Sequence, residues 1–312
     1  MPTLFNPIFI VGAPRSGTTL LQYMLRSHPD IYFPTGESHF IIPLYRNTEN
    51  FGDLKKPENI RCVLKAMYKL SANFLDNDLH GIKFNIAQLT NELLAEEQDS
   101  ISKIISTLFQ KNANAQGKSR WGDKTPYYVL HMDKLLKMFP SAQFIHIIRD
   151  GRDCTLSMFE RKNDFGVYNT FFAAKYWEIY VERGRCIGKE LGDEIYHEIH
   201  YEDLLNTPEK ILKEICTFLN EPYNDKILHY KRSEEAGKTP LLQKSLQIDN
   251  QAKWKTNMTT RQIRIFEGAV NRTLTESGYP LITDAKPLSL PIKAFWRTHN
   301  QLMTFLNNNF KE

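Results

Sequence analysis

A glycine-containing loop near the start of the chain has the composition of a phosphate-binding loop. Residues 12–19 read Gly-Ala-Pro-Arg-Ser-Gly-Thr-Thr and lie between an apolar run and an amphipathic segment. This spacing mirrors the GxxxxGK[ST] loops that join a strand to a helix, where backbone N–H groups and the helix N-terminus attract an anion. The candidate ligands for that anion are Arg15, Ser16, Gly17, Thr18 and Thr19.

The loop departs from the nucleoside triphosphatase pattern at its lysine. Thr18 occupies that position, and Arg15 within the loop supplies the cation instead. A nucleoside triphosphatase also binds Mg²⁺ through a further carboxylate. A second apolar run, residues 143–148, leads into Arg149 before any carboxylate. We therefore expect a ligand that carries phosphate but is not ordinary Mg·ATP; the alternative interpretation is a purely structural glycine-rich turn.

A second group of residues could bind another phosphate. Arg149 follows the apolar run, and Ser157 lies two helical turns further along. A guanidinium offers a bidentate fork to phosphate, and a hydroxyl adds one donor. The neighbouring Asp150 and Arg152 fit a structural salt bridge at least as well as a direct ligand contact.

The apolar pattern predicts an α/β fold with a P-loop-like parallel β-sheet flanked by helices on both faces. Strands are predicted at residues 7–12, 31–33, 143–149 and 195–200. Helices are predicted at residues 18–27, 59–74, 86–94, 100–112, 127–138, 151–162, 168–190, 208–219, 261–277 and 295–310. Ligands of such sheets bind beyond the carboxyl ends of the strands. Both candidate phosphate sites follow predicted strands directly.

The organisation of the chain is predicted from the same pattern. Residues 1–282 are expected to form one domain, with a mostly helical block at residues 38–119 inside it. Residues 230–256 are polar and basic, which predicts a mobile loop. The tail, residues 283–312, is expected to pack on the domain or to form a contact between two copies.

Composition excludes several classes of protein. The 312 residues carry a formal net charge of +4, too balanced for a general nucleic-acid binder. Among the four cysteines no two lie within four residues, so neither a zinc knuckle nor a disulfide scaffold is expected, and no metal site. This cysteine usage favours a reducing, cytoplasmic compartment. No signal peptide and no membrane span is visible in the sequence.

Together, the two phosphate motifs resemble the sulfotransferase family that uses 3′-phosphoadenosine 5′-phosphosulfate (PAPS). In that family PRSGTT-type loops bind the 5′-phosphosulfate, and an arginine with a serine eight positions later binds the 3′-phosphate. Arg149 and Ser157 have that spacing. The similarity extends in order over roughly residues 7–280 and includes residues 122–126, 201–204 and 253–255. The arginine in the loop is more similar to the bacterial and protein-tyrosine branches than to the small-phenol branch.

The resemblance implies roles for the catalytic groups. Glu37 would accept the proton of the acceptor hydroxyl, and Lys124, with Arg15, would stabilise the leaving phosphate oxygen. His39 is the rival base, and a helix-cap box around Ser38 is the structural alternative for Glu37. Because Lys124 and its neighbour Thr125 precede a proline, Lys124 is predicted to lie on a loop.

Two further cofactor contacts are implied, Tyr201 at a strand end and Lys255 in the polar loop. A packing tyrosine is the alternative for Tyr201. Trp121 fits a place in the core at least as well as a stacking position on adenine.

The leading functional prediction is a PAPS-dependent sulfotransferase without a metal, acting on a hydroxyl acceptor. Small molecules, lipids, carbohydrates and peptide tyrosines all stay open as acceptors. The alternatives are a catalytically inactive nucleotide-binding homologue and an atypical P-loop kinase. No nucleic-acid partner is expected, and a homodimer is compatible with the apolar tail.

Overall fold

Five parallel strands form the central sheet of the computed structural model, which describes residues 6–70, 82–97, 99–230 and 246–309. The strand order is β2-β3-β1-β4-β5. The bounds are β1 Ile8–Gly12, β2 Ile31–Tyr32, β3 Arg120–Lys124, β4 Gln143–Ile148 and β5 Tyr196–His200. The predicted parallel sheet is therefore confirmed.

The two faces of the sheet are both buried, because alternate residues of each central strand enter different cores. In β1, Phe9 packs into one core while Ile8 and Ile10 pack into the other. In β4, Phe144 and Ile145 divide in the same way. A strand that is buried on both faces has a continuous run of apolar residues in its sequence, and β1 and β4 could be predicted for this reason.

Helices cover both faces of the sheet, as predicted. The α-helices among the described residues are α1 Thr18–Arg26, α2 Ile41–Arg46, α3 Pro57–Leu70, α4 Ile86–Ala95, α5 Ile101–Ala115, α6 Met132–Met138, α7 Gly151–Phe159, α8 Lys162–Phe165, α9 Thr170–Leu191, α10 Tyr201–Asn206, α11 Pro208–Leu219, α12 Trp254–Asn257, α13 Thr260–Glu276 and α14 Leu290–Asn309. Short 3₁₀ helices occur at Thr48–Phe51, Pro126–His131 and Asp225–Ile227.

Strand β3 was not predicted, and the prediction that Lys124 lies on a loop is wrong. Lys124 is the last residue of β3, which pairs with β2 on one side and β1 on the other. Glycine, aspartate and lysine are poor strand formers, so the segment gives no local strand signal. The two neighbouring strands impose the extended conformation, and Gly122 lets the Phe33 ring approach to 2.4 Å from where a Cβ would stand.

Parts of three predictions fall outside the described residues. These are positions 71–74 of a predicted helix, positions 231–245 of the predicted mobile loop and Phe310 in the tail. Residues 290–309 of the tail form α14, which packs on α9 and on the segment before it. Asn300 is its one buried residue; it donates to Gly166 O at 2.9 Å and accepts from Tyr168 N at 2.8 Å.

The four cysteines are all free. In the described part of the chain, no helix combines the length and the apolarity that crossing a membrane requires.

Candidate active site

The predicted phosphate loop lies between the end of β1 and the start of α1, at the carboxyl edge of the sheet. Gly17 caps α1 with φ of 100°, and no side chain caps this helix N-terminus. The first N–H groups of α1 have no acceptor within the helix. A Cβ on Gly17 would lie 2.3 Å from Cδ2 of Tyr201, so only glycine fits between the loop and that ring.

Two of the buried polar atoms at this edge that lack a hydrogen-bond partner among the described residues are donors. They are Ser16 Oγ and Arg149 Nε. Buried polar atoms in folded proteins nearly always have partners. A hydroxyl and a guanidinium N–H are both donors, so the ligand they suit is an acceptor, such as a phosphate oxygen. The residues present therefore fit a phosphate-bearing cofactor.

Arg15 links the two predicted phosphate motifs directly. Its Nε donates to Ser157 Oγ at 2.8 Å, and its carbonyl oxygen accepts from Arg149 Nη1 at 3.3 Å. Its backbone is left-handed, with φ of 71°. Burial lowers the pKa of Arg15, and the nearby guanidinium of Arg161 adds to that effect. The side chain therefore points toward Ser157 in a strongly positive environment.

Arg149 lies just past β4 and is enclosed by residues from distant parts of the chain. Its Nη2 donates to Asn250 O at 2.8 Å, and its Cζ lies 4.5 Å from the centre of the Tyr201 ring. The Tyr201 hydroxyl in turn accepts from Asn250 Nδ2 at 2.8 Å. Tyr201 is buried against both Gly17 and Arg149, so it joins the two candidate phosphate sites.

Lys255 stands apart from these residues. It is exposed, and its Nζ lies 5.8 Å from the centre of the Trp254 ring. The Trp254 backbone N–H donates to Asp153 Oδ1 at 2.9 Å, which anchors α12 to α7. Its backbone N–H donates to Ala252 O at 3.2 Å, but its side chain makes no hydrogen bond or ion pair among the described residues and does not contact Arg149.

Arg152 and Asp150 form a structural salt bridge. Arg152 is fully buried, with Nη2 at 2.8 Å from Asp150 Oδ2 and Nη1 at 2.8 Å from Glu267 Oε1. Its guanidinium also lies 3.6 Å from the centre of the Trp254 ring. Both residues therefore hold α7, α12 and α13 together.

The candidate base and the candidate cation are in contact. Lys124 Nζ donates to Glu37 Oε1 at 2.7 Å, and Glu37 Oε2 lies 3.0 Å from His39 Nε2. Lys124 is almost completely buried, whereas the Glu37 side chain is 35% exposed. Burial alone would raise the pKa of Glu37, but Lys124 and His39 outweigh it and lower that pKa to about 2. The Glu37 carboxylate is thus ionised at neutral pH.

The two rival bases of the sequence prediction are hydrogen-bonded to each other. His39 is exposed and has a left-handed backbone with φ of 50°, which turns its ring back toward Glu37. Glu37 therefore has one carboxylate oxygen on a cation and the other on an imidazole. Its segment is not a helix-cap box, because α2 begins at Ile41 without a side-chain cap.

Several residues near the site were missed by the sequence reasoning. Asn250 contacts both Arg149 and Tyr201, but it lies in a polar segment without periodicity. Tyr128 contacts Ser38 next to the candidate base, and it is indistinguishable from a core aromatic in the sequence.

Trp121 belongs to the core, where its ring packs against Phe109 with centroids 4.7 Å apart.

A parallel sheet with a glycine-containing loop between its first strand and the following helix defines a P-loop-like α/β protein. A family model described as "Sulfotransferase family" matches residues 7–225. The chain belongs to the sulfotransferase family, which confirms the resemblance found in its motifs.

The curated relatives include protein-tyrosine sulfotransferases. The chain is 29% identical over 239 residues to protein-tyrosine sulfotransferase 1 of Danio rerio, covering 74% of this chain and 58% of the relative. It is 27% identical over 231 residues to protein-tyrosine sulfotransferase of Drosophila melanogaster, covering 72% of this chain and 40% of the relative. The matches thus span about half the length of these relatives.

Solved structures support the fold. The sulfotransferase domain from the curacin biosynthetic pathway superimposes with a TM-score of 0.58 and 22% identity, covering 89% of this chain and 99% of that domain. The sulfotransferase domain of the Synechococcus PCC 7002 olefin synthase gives 0.55 and 23%, covering 85% and 96%. At these identities the likeness concerns the fold alone.

Proposed function

We propose that this chain transfers a sulfuryl group from PAPS to a hydroxyl acceptor. The observation that carries the proposal is the 2.8 Å contact between Arg15 and Ser157, which joins the two predicted anion-binding segments. The Glu37–Lys124 pair lies at the carboxyl end of β3, the strand that pairs with β1. Two anion sites side by side suit a nucleotide with phosphate groups at both its 5′ and 3′ positions. The names of the relatives agree with this chemistry.

The cofactor-binding roles follow from the donors at the sheet edge. Ser16, Gly17, Thr18 and Thr19 would hold the 5′-phosphosulfate through hydroxyls and the N–H groups at the start of α1. Arg149 and Ser157 would hold the 3′-phosphate through a guanidinium and a hydroxyl. Tyr201 packs between these two sites, and Lys255 would approach from α12. No metal is needed in this proposal because arginine and lysine supply the positive charge.

The catalytic roles are assigned to three residues. When bound, PAPS supplies an activated sulfuryl group with a phosphate as its leaving group. Glu37 is ionised at neutral pH and would accept the proton of the acceptor hydroxyl. Lys124 would donate to the leaving phosphate oxygen as negative charge develops on it. Arg15 adds a second cation at the junction of the two anion sites.

The acceptor is proposed to bind on the side of Glu37 where α9 supplies aromatic hydroxyls. The rings of Tyr176 and Tyr180 stack with centroids 5.0 Å apart, and their hydroxyl oxygens lie 3.1 Å apart. Burial raises the pKa of Tyr176, and the charge of Glu37 adds to it, so this hydroxyl lies within electrostatic range of the base. A phenol, a carbohydrate, a lipid alcohol and a tyrosine peptide should be tested in parallel. A cytoplasmic location stays a prediction from the cysteine usage.

The donor class is tested by thermal unfolding with 3′-phosphoadenosine 5′-phosphate (PAP), AMP or Mg·ATP. A ligand that binds only the native state raises the melting temperature, by about 2.7 kcal/mol of stabilisation at a hundredfold excess over Kd. We expect a shift with PAP that AMP does not match and that needs no metal. A shift with Mg·ATP alone would identify a kinase instead and contradict the proposal.

Catalysis is tested with Glu37→Ala and Lys124→Ala, using Lys103→Ala as the control. Lys103 pairs with Asp99 on the surface, so its loss changes charge without changing the site. Both site variants should lose sulfuryl transfer by roughly a hundredfold or more and keep PAP binding. Normal turnover in both variants would refute the assigned roles, and PAP binding without transfer in the wild type would identify an inactive homologue.

A further inference from the structure

The segment that carries Glu37 has no regular secondary structure. Residues 33–40 belong to neither a helix nor a strand. No helix or strand hydrogen bonds therefore fix the backbone that carries Glu37, although a catalytic base must lie within a fraction of an ångström of the position at which it accepts the proton. Something else must hold the segment, and the side chains packed beneath it are the candidates.

Tyr128 makes the central contacts with this segment. Its hydroxyl oxygen lies 2.8 Å from Ser38 Oγ and accepts a hydrogen bond from Ile41 N at 3.1 Å. Since a phenol has one proton and can accept as well, it can donate to Ser38 while accepting from Ile41. Ser38 N donates to Thr125 Oγ1 at 3.1 Å. Tyr128, Thr125 and Ser38 are all fully buried.

The same short stretch of chain delivers the candidate cation. Lys124 ends β3, Thr125 follows, and Pro126 begins the 3₁₀ helix that contains Tyr128. Proline restricts the backbone here, since its φ is fixed near −65°. Lys124 and Tyr128, whose hydroxyl is hydrogen-bonded to the segment that carries Glu37, are therefore four residues apart on a conformationally restricted connection. The Glu37–Lys124 distance depends on that connection.

We propose that Tyr128 is a positioning residue for the reaction, because its hydroxyl holds the backbone of residues 38–41 so that Glu37 stays aligned with Lys124 and the reacting atoms. This inference rests on the proposed sulfotransferase function. It assigns Tyr128 no contact with cofactor or acceptor.

Tyr128→Phe removes the hydroxyl and keeps the ring. Ser38 Oγ and Ile41 N then lose their shared partner, and the base segment can shift. A displacement of about 1 Å at a reacting group can cost a hundredfold in rate. We expect kcat to fall by about ten- to a hundredfold, while the Kd for PAP changes by less than about twofold because no cofactor-binding residue moves.

The matched control is Tyr196→Phe. The Tyr196 hydroxyl also makes two hydrogen bonds, with His146 Nδ1 at 2.6 Å and to Glu198 Oε2 at 3.0 Å, but it lies on β5 away from Glu37. We expect Tyr196→Phe to lose as much stability as Tyr128→Phe but to keep its kcat. This outcome would show that the lower kcat of Tyr128→Phe comes from the position of Glu37 and not from a general loss of stability. Ser38→Ala removes the other end of the contact and serves if Tyr128→Phe does not fold.

A double-mutant cycle with Glu37→Ala gives the decisive readout. If Tyr128 acts through Glu37, Tyr128→Phe should change the residual rate of Glu37→Ala by less than about twofold. A structural role would instead lower that residual rate by the same factor as in the wild type, and would overturn the inference. Unchanged kcat in both Tyr128→Phe and Ser38→Ala would overturn it as well.

A readout without turnover follows from the ion pair. Lys124 and His39 contact the Glu37 carboxylate, Asp123 lies beside them, and the Tyr176 and Tyr180 hydroxyls lie within its electrostatic range. If the segment shifts away from Lys124, a ¹³C titration should show the pKa of Glu37 rising from about 2. An unaltered titration would contradict the inference. Absence of transfer by the wild type would refute the proposed function itself.

Discussion

At the scale of single residues, the contact between Glu37 and Lys124 imposes opposite demands on the two groups. The lysine keeps the carboxylate ionised, yet a carboxylate with a pKa of about 2 is a weak base. Lys124→Met removes the cation and keeps most of the side-chain volume. We expect the pKa of Glu37 to rise in this variant, measured by ¹³C titration, and to stay unaltered in the control Lys103→Met. A value still near 2 would show that Lys124 is not its cause.

The sign of the pH dependence follows from that lowered pKa. Because the folded-state pKa of Glu37 lies below its ordinary value of 4.5, the ionised carboxylate stabilises the fold above that value. This contribution is lost as the pH falls from about 4.5 to about 2. The acid-induced loss of stability in this range should be smaller in Glu37→Gln than in the wild type, as followed by urea unfolding.

Asp123 behaves in the opposite way. It is fully buried, and burial raises its pKa to about 6, although the hydroxyls of Thr125 and Ser38 beside it act in the opposite direction. A raised pKa stabilises the fold below the unfolded value near 3.8, and this stabilisation is lost as the pH rises through 6. The stability of Asp123→Asn relative to the wild type should therefore rise by about 2 kcal/mol between pH 4 and pH 8. Equal differences at both pH values would contradict this assignment.

At the scale of elements, the turn from β1 into α1 depends on one glycine. Gly17→Ala would place a Cβ 2.3 Å from the Tyr201 ring and strain a backbone with φ of 100°. We expect PAP affinity to fall sharply and stability to fall by about 2 kcal/mol. Gly117→Ala is the control, since Gly117 also has positive φ but nothing lies within 4 Å of its Cβ position. Equal effects of the two substitutions would exclude the clash with Tyr201 as the cause.

A strand or helix can be predicted from the sequence when its own residues favour that structure, and not when distant parts of the chain impose it. β1 and β4 carry it in their own residues, as apolar runs followed by Gly12 or Arg149, so the phosphate loop and its second arginine could be located from the sequence. β3 carries none, because residues 120–124 become a strand only through their pairing with β1 and β2. The same is true of Asn250 and Tyr128, whose contacts join segments far apart in the chain.

At the scale of the whole molecule, α14 leaves an apolar face exposed. Phe295 and Phe305 are 61% and 60% exposed, and Leu302 is similarly exposed. The tail was predicted to pack on the domain or to form a contact between copies, and self-association stays a prediction. Sedimentation velocity should detect a concentration-dependent dimer that Phe295→Ser with Phe305→Ser weakens. Leu70→Ser, on another exposed apolar residue, should leave it unchanged. A wild-type monomer at every concentration would exclude this contact.

The central position of β1 has a consequence for synthesis. Ile8 pairs in the sheet with Gly122 and Gln143, both of which are synthesised more than about a hundred residues after it. At about 5–20 residues per second, a nascent chain waits several seconds before either neighbour exists. During that time the four apolar residues 8–11 are exposed as an unpaired strand, the kind of segment that chaperones bind and that aggregates readily. Residues 8–12 should therefore be a binding site for a chaperone while the rest of the sheet is being synthesised.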